Sequence, residues 1–212
     1  DDLRSGTSWN ERENAWNLYT GAWANTNWFD EMYRKNAPTQ EHNISISGGS
    51  GKTNYYLSGA LLDQQGLIRY GRDTFKRYNL TAKISTEITP WLTLSYTNRW
   101  SREEYSRPSY MTGLFFHNIA RRWPTNPVRD VNGHLIPGNE TIQMRDGGVD
   151  RNQKDRVNQQ LTLEARPIAG LVLRAENNYN TTYNLNHWDV LAIYSHDKNG
   201  LPRLTSREGG DN

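Results

Sequence analysis

The chain contains no cysteine, which excludes a disulfide framework, thiolate metal ligands and thiol catalysis and leaves the redox compartment open. Long apolar runs are missing too. The longest, Val190-Leu191-Ala192-Ile193-Tyr194, falls far short of the roughly 20 residues that a membrane-spanning helix needs. A spanning helix is excluded, whereas spanning strands are not. Charge of one sign is also absent: 25 Lys and Arg stand against 23 Asp and Glu, a net +2 with no block of either sign. A strongly electrostatic nucleic-acid binder is therefore excluded, and no nucleic-acid partner is expected. No basic n-region followed by an apolar h-region is visible, and a chain opening on Asp1-Asp2-Leu3 suits part of a longer protein.

Apolar residues are scarce, at 34% of 212 residues against a usual 45–50% or so, and the mean hydropathy is −0.93. That balance alone suits a very polar or loosely ordered chain. The rings contradict disorder, because 8 Trp, 12 Tyr and 4 Phe are far more than disordered segments carry.

From Glu41 to Tyr183 the sequence reads as strands joined by turns. In residues 41–47, Ile44 and Ile46 alternate with Asn43, Ser45 and Ser47. Gly48-Gly49-Ser50-Gly51 then reads as a tight reversal. Further strands are expected over 53–64, 74–88, 91–103, 156–166 and 171–183, each with a modestly apolar face opposite one rich in Lys, Arg, Glu, Gln and Asn. The connections alternate. Those at 48–52, 89–90 and 167–170 are tight, whereas 65–73, 105–155 and 185 onward are long. Antiparallel succession would gather the tight turns at one end of the sheet and the long loops at the other, as in outer-membrane barrels. Strands of about 12 residues exceed the usual length in soluble sheets and match what a tilted membrane strand needs. The polar face has to be wet, either in an aqueous lumen or on the solvent side of a soluble sheet. Rings beside the tight turns (Tyr55, Tyr56, Trp91) and at the long-loop ends (Tyr70, Trp100, Tyr105, Tyr183) read as two interface belts. The pattern favours a barrel wall over its alternative, a secreted β-sandwich that binds carbohydrate through loop aromatics.

A series of motifs resembles the SusC/RagA family of TonB-dependent outer-membrane transporters. It comprises Trp28-Phe29-Asp30-Glu31-Met32-Tyr33-Arg34, Ala37-Pro38-Thr39-Gln40-Glu41-His42-Asn43-Ile44-Ser45-Ile46-Ser47-Gly48-Gly49 and Tyr55-Tyr56-Leu57-Ser58. Leu62-Asp63-Gln64-Gln65-Gly66, Phe75-Lys76-Arg77-Tyr78-Asn79-Leu80, Thr89-Pro90-Trp91-Leu92 and Pro124-Thr125-Asn126-Pro127-Val128 continue it. The resemblance implies an all-β, antiparallel transmembrane β-barrel segment, about six strands of a plugged barrel of the 22-stranded class. It implies an extracellular loop with short helical pieces over 1–40, barrel strands over 41–104, a long extracellular loop over 105–155, strands over 156–184 and a further outer loop over 185–212. The implied function is import of oligosaccharides or peptides across the bacterial outer membrane, with a SusD-like surface lipoprotein as lid. TonB would act through a plug outside this chain, outer-membrane lipid would surround the wall, and neither a cofactor nor covalent chemistry is required.

Other motifs have simpler readings. Gly49-Ser50-Gly51-Lys52-Thr53 looks like the end of a phosphate-binding loop, but Ile46 stands where that loop needs glycine and Asn54-Tyr55-Tyr56-Leu57 is strand-like, not helical. The five histidines show no metal-ligand spacing, and Asp130-Val131-Asn132-Gly133 and Asp146-Gly147-Gly148-Val149-Asp150 complete no calcium loop. No catalytic or metal residue is assigned. The apolar segment 110–123 of the long loop offers candidate ligand contacts in Tyr110, Arg121, Arg122 and Trp123, since sugar faces stack on rings and arginine binds carboxylates. In the first loop Trp16, Trp23, Trp28 and Phe29 are candidate contacts for the lid or for neighbouring loops.

Overall fold

The computed structural model describes residues 6–206. The strands β1 (Trp9–Asn10) and β2 (Ala15–Trp16) form a small ribbon, followed by the helix α1 (Trp28–Met32). Strands β3 (Thr39–Ser50), β4 (Thr53–Gln65), β5 (Thr74–Thr89) and β6 (Leu92–Pro108) come next, then helices α2 (Gly113–Arg121) and α3 (Thr141–Asp146). Strands β7 (Val149–Ala165) and β8 (Leu173–Trp188) and a hairpin of β9 (Ile193–His196) with β10 (Pro202–Ser206) complete the order. Strands β3 to β8 make one six-stranded antiparallel sheet in chain order. It does not close on itself, and among the described residues β3 and β8 each present an unpaired edge.

The turns between β3 and β4, β5 and β6, and β7 and β8 fall at one end of the sheet. The first is tighter than the sequence suggests. Gly48 and Gly49 stay in the strand, paired with Tyr55 and Asn54, and only Gly51, at φ +52°, and Lys52 make the reversal. Without a side chain on Gly48, the Tyr55 ring lies across its backbone, where a Cβ would clash. At the opposite end stand residues 66–73, residues 109–148 and the segment after Trp188.

Register sorts the residues into faces, because directly paired residues point the same way. One face carries the rows Ile44-Gly59-Leu80-Trp100-Val157-Thr181 and Gly48-Tyr55-Ile84-Tyr96-Leu161-Asn177, with Leu94 paired to Leu163 below them. Among the described residues nothing covers this face, and Ile44 is 78% exposed. The other face is polar. There Arg99 Nη1 donates to Asn158 Oδ1 at 3.0 Å, Asn158 donates to Asn180, and Asn152 Nδ2 donates to Asn186 Oδ1 at 2.6 Å. Among the described residues no second sheet packs on the apolar face, so the sandwich alternative has no partner layer.

Towards the long-loop end the apolar rows give way to charged ones, Tyr78-Arg102-Asp155-Tyr183 and Lys76-Glu104-Gln153-Leu185. Lys76 pairs with Asp63 at 3.1 Å and Arg102 with Asp155 at 2.8 Å; on the polar face Arg156 pairs with Glu103 at 2.9 Å and Arg107 with Asp150 at 2.8 Å. These cross-strand ion pairs carry β6 on to Pro108 and begin β7 at Val149. The long loop is therefore shorter than the expected 105–155, and strand structure also enters the expected outer loop at 185. Seventeen residues of β6 span about 55 Å of strand, well beyond the roughly 30 Å hydrocarbon thickness of a bilayer.

The hydrophobic core lies in the loops, not under the sheet. Trp28 and Met32 of α1, Ile68 and Tyr70 of the β4–β5 connection, Phe115 and Ile119 of α2, Leu135, Ile142 and Met144 of α3, and Ile193 of β9 form one buried cluster. Each side chain of this kind gains about 1.5–3 kcal/mol on burial. Backbone bonds fasten the pieces, with Arg69 N donating to Met32 O at 2.9 Å and Arg34 N to Leu67 O at 2.7 Å. Two rings expected in a membrane belt belong elsewhere. Tyr70 is buried in this cap, and Tyr105 is paired with Phe75 on the polar face. Trp100 stands in the last apolar row before the charged ones, some way below the long-loop ends of the strands.

Candidate functional site

The cap over the long-loop end brings together most of the sequence-derived contact residues. Helix α1 starts where the Asn27 side chain accepts from Phe29 N and Asp30 N, and α2 where Thr112 Oγ1 accepts from Phe115 N. Helix α2 buries Phe115 and Ile119 and ends at Arg121, before Pro124, which restricts the backbone preceding it. The segment leaving α2 therefore turns sharply, and its three side chains take different roles.

Arg122 points inward, with only 4% of its side chain exposed. It pairs with Glu140, donates to Gly138 O at 3.0 Å and lies 5.0 Å over the Trp28 ring. Asn118 Nδ2 donates to the same Glu140 carboxylate at 2.9 Å. Trp28 Nε1 donates to Trp123 O at 3.1 Å, and that backbone tie leaves the Trp123 ring 62% exposed. Tyr19 from the first loop meets the Trp123 ring edge-on at 5.9 Å. Arg121 is exposed, and among the described residues its guanidinium has no ion-pair partner. Tyr19, Asn118, Arg121, Arg122, Trp123, Gly138 and Glu140 line an open cavity of about 480 Å³. A free guanidinium beside two exposed rings and an amide suits a carboxylate-bearing or planar chain segment.

Tyr110 is not part of this cavity. It packs against the core cluster, close to Gly147, where it helps to seat the strand-to-loop junction. Trp16 and Trp28 are also turned inward: Trp16 Nε1 donates to His196 O at 2.9 Å and its ring meets Trp9 edge-on. Their contacts are with neighbouring loops. Trp23 and Phe29 keep exposed rings, and Phe29 stacks on Tyr33 with centroids 6.0 Å apart. Sequence reasoning missed Tyr19, Asn118 and Glu140. Asn118 was findable from the helical period, one turn before Arg122, whereas Tyr19 and Glu140 arrive from other loops and have no local signal.

The carboxylates of the 130–133 and 146–150 segments are engaged within the protein. Asp130 Oδ1 accepts from Asn132 N and His134 N, both at 2.9 Å, Asp146 pairs with Arg145 and Asp150 with Arg107. Tyr70 donates to the Glu31 carboxylate, and burial, reinforced by that carboxylate, pushes its hydroxyl up to about 12.

An open antiparallel meander with one apolar face, one polar face and unpaired edges is a segment of a β-barrel wall. Among solved structures it is similar to a chain of the RagAB peptide importer in its "closed-closed" state, with a TM-score of 0.63 and 22% sequence identity. That likeness covers 82% of this chain and 20% of that one, and it shows a shared fold. No protein-family model and no curated protein matches the chain.

Proposed function

We propose that the six strands form part of the wall of a SusC/RagA-type, TonB-dependent transporter in the bacterial outer membrane. The loop cap faces the outside and takes part in capturing a peptide or oligosaccharide beneath a SusD-like lipoprotein. The observation that carries the reading is the placement of hydrophobicity: the sheet leaves a whole apolar face uncovered while the buried core sits in the loops at one end. In water that arrangement wastes the apolar face; in a bilayer it is the lipid-facing surface. The shared fold with a chain of the RagAB peptide importer supports the same reading, and the motif series of the sequence agrees with it.

On this reading Arg121, Trp123 and Tyr19 contact ligand, and the free Arg121 guanidinium favours peptides or acidic glycans over neutral sugars. Arg122 and Tyr110 hold the cap in shape. The exposed rings of Trp23 and Phe29 meet the lid. Energy comes from TonB through parts of the transporter outside these strands, and transport requires no covalent step or cofactor.

Fractionation of cells making the full-length protein tests this. It should remain with outer membranes, need detergent for release and migrate faster in gels before heating than after. Release in soluble form without detergent would overturn the reading.

A further inference from the structure

On the apolar face, directly beyond the last apolar row, the sheet holds a notch of about 320 Å³ whose lining includes Arg72, Thr74, Lys76, Glu104, Ser106 and Arg151. Pairing explains its shape. Thr74, Ser106 and Arg151 form one cross-strand row and Lys76, Glu104 and Gln153 the next, while Arg72 leans in from the β4–β5 connection. The charges divide unevenly. Asp63 holds Lys76 at 3.1 Å and Glu104 stands 3.9 Å from Arg102, and among the described residues the guanidiniums of Arg72 and Arg151 have no counter-ion within ion-pair distance. Ser106 adds a second observation: it is only 8% exposed, and its hydroxyl, buried at the notch, has no hydrogen-bond partner among the described residues. A buried unpaired donor is costly unless a ligand uses it.

We propose that this notch binds the phosphate of a lipid head group in the leaflet around the barrel. The inference rests on the barrel reading above, which turns this face towards lipid. Position and chemistry then agree. The notch begins where the apolar rows of Leu80 and Trp100 end, at the level where a head group leaves the hydrocarbon. Two free guanidiniums and a hydroxyl offer the donors that a phosphomonoester accepts, and guanidinium matches phosphate oxygens in bidentate geometry. Glu104 opposes the ligand, and its repulsion sets an upper limit on affinity.

The test uses the full-length protein in phosphatidylcholine nanodiscs with and without phosphatidic acid, with bound lipid read by native mass spectrometry. The wild-type protein should retain phosphatidic acid over phosphatidylcholine. Arg72→Ala and Arg151→Ala should each lower that enrichment by about tenfold, the worth of one charge-assisted contact, Ser106→Ala should lower it less, and Glu104→Gln should raise it. Heat-modifiable migration confirms that each variant is folded. A protein that enters nanodiscs but shows no enrichment, or enrichment indifferent to both arginines, overturns this inference alone. Full displacement by inorganic phosphate would assign the notch to free phosphate and overturn the lipid source. Failure to enter nanodiscs at all would overturn the barrel reading and this inference with it.

Discussion

The guanidinium of Arg122 lies 5.0 Å over the ring of Trp28, and the Trp28 indole N–H is bonded at 3.1 Å to the carbonyl of Trp123. These two contacts join the first loop to the end of α2, and the second leaves the Trp123 ring facing outward. Adjacent arginines therefore divide the work: Arg122 builds the cap, and Arg121 stays at the surface, where the proposed ligand contact lies. Arg122→Ala strands Glu140 without its cation and should cost the cap about 3 kcal/mol. The expected result is rapid proteolytic cleavage within residues 109–148 in intact outer membranes. Arg121→Ala should leave the cleavage pattern unchanged.

The exposed rings carry the second expectation. Trp123→Ala removes a stacking surface worth about 1 kcal/mol, so affinity for ligand should fall severalfold while membrane insertion and protease resistance stay as they were. Tyr110→Phe keeps the packing of its ring against the cap core and should leave affinity unchanged. A binding assay on membranes from cells lacking other importers separates the two.

Most of the sheet was legible in the sequence because one face of each strand is apolar. Leu80, Ala82 and Ile84 alternate with Thr81 and Lys83, and β5 follows. The start of β7 was hidden, since Asp150-Arg151-Asn152-Gln153-Lys154-Asp155 is polar on both faces and its strand is fixed by partners on β6, notably Arg102 and Arg107. Gly48 and Gly49 read as a turn because nothing local reveals that the Tyr55 ring covers the strand there. In the cap, the helix-end residues Arg121, Arg122 and Trp123 could be found as a cluster. Their separate orientations depend on Glu140 and Trp28, which are distant in sequence, and so could not be read from the segment itself.

Two adjacent substitutions on β5 test the faces. Ile84→Arg places a cation midway along the apolar rows and should cost about 2–4 kcal/mol of insertion stability. Ser85→Arg, one residue on, points to the polar face and should be tolerated. Urea titration of the protein folded into vesicles measures the difference.

Alkaline pH should loosen the cap through Tyr70. Its hydroxyl is raised from 10.0 to about 12, so the folded state holds a proton that the unfolded state releases. That contribution is fully present below pH 10.0 and is lost as pH rises towards about 12. Protease sensitivity of the cap should climb across this window, and Tyr70→Phe should flatten the climb because no proton is left to lose.

The central claim is that alternate residues of β5 face lipid. Spin labels on single cysteines introduced at positions 79 to 84, in a stretch with no native thiol, test it through collision with oxygen dissolved in the bilayer. Labels at Leu80, Ala82 and Ile84 should relax rapidly with oxygen, and labels at Asn79, Thr81 and Lys83 should not. Uniform accessibility along the strand, or the opposite phase, would contradict a barrel wall built on this register.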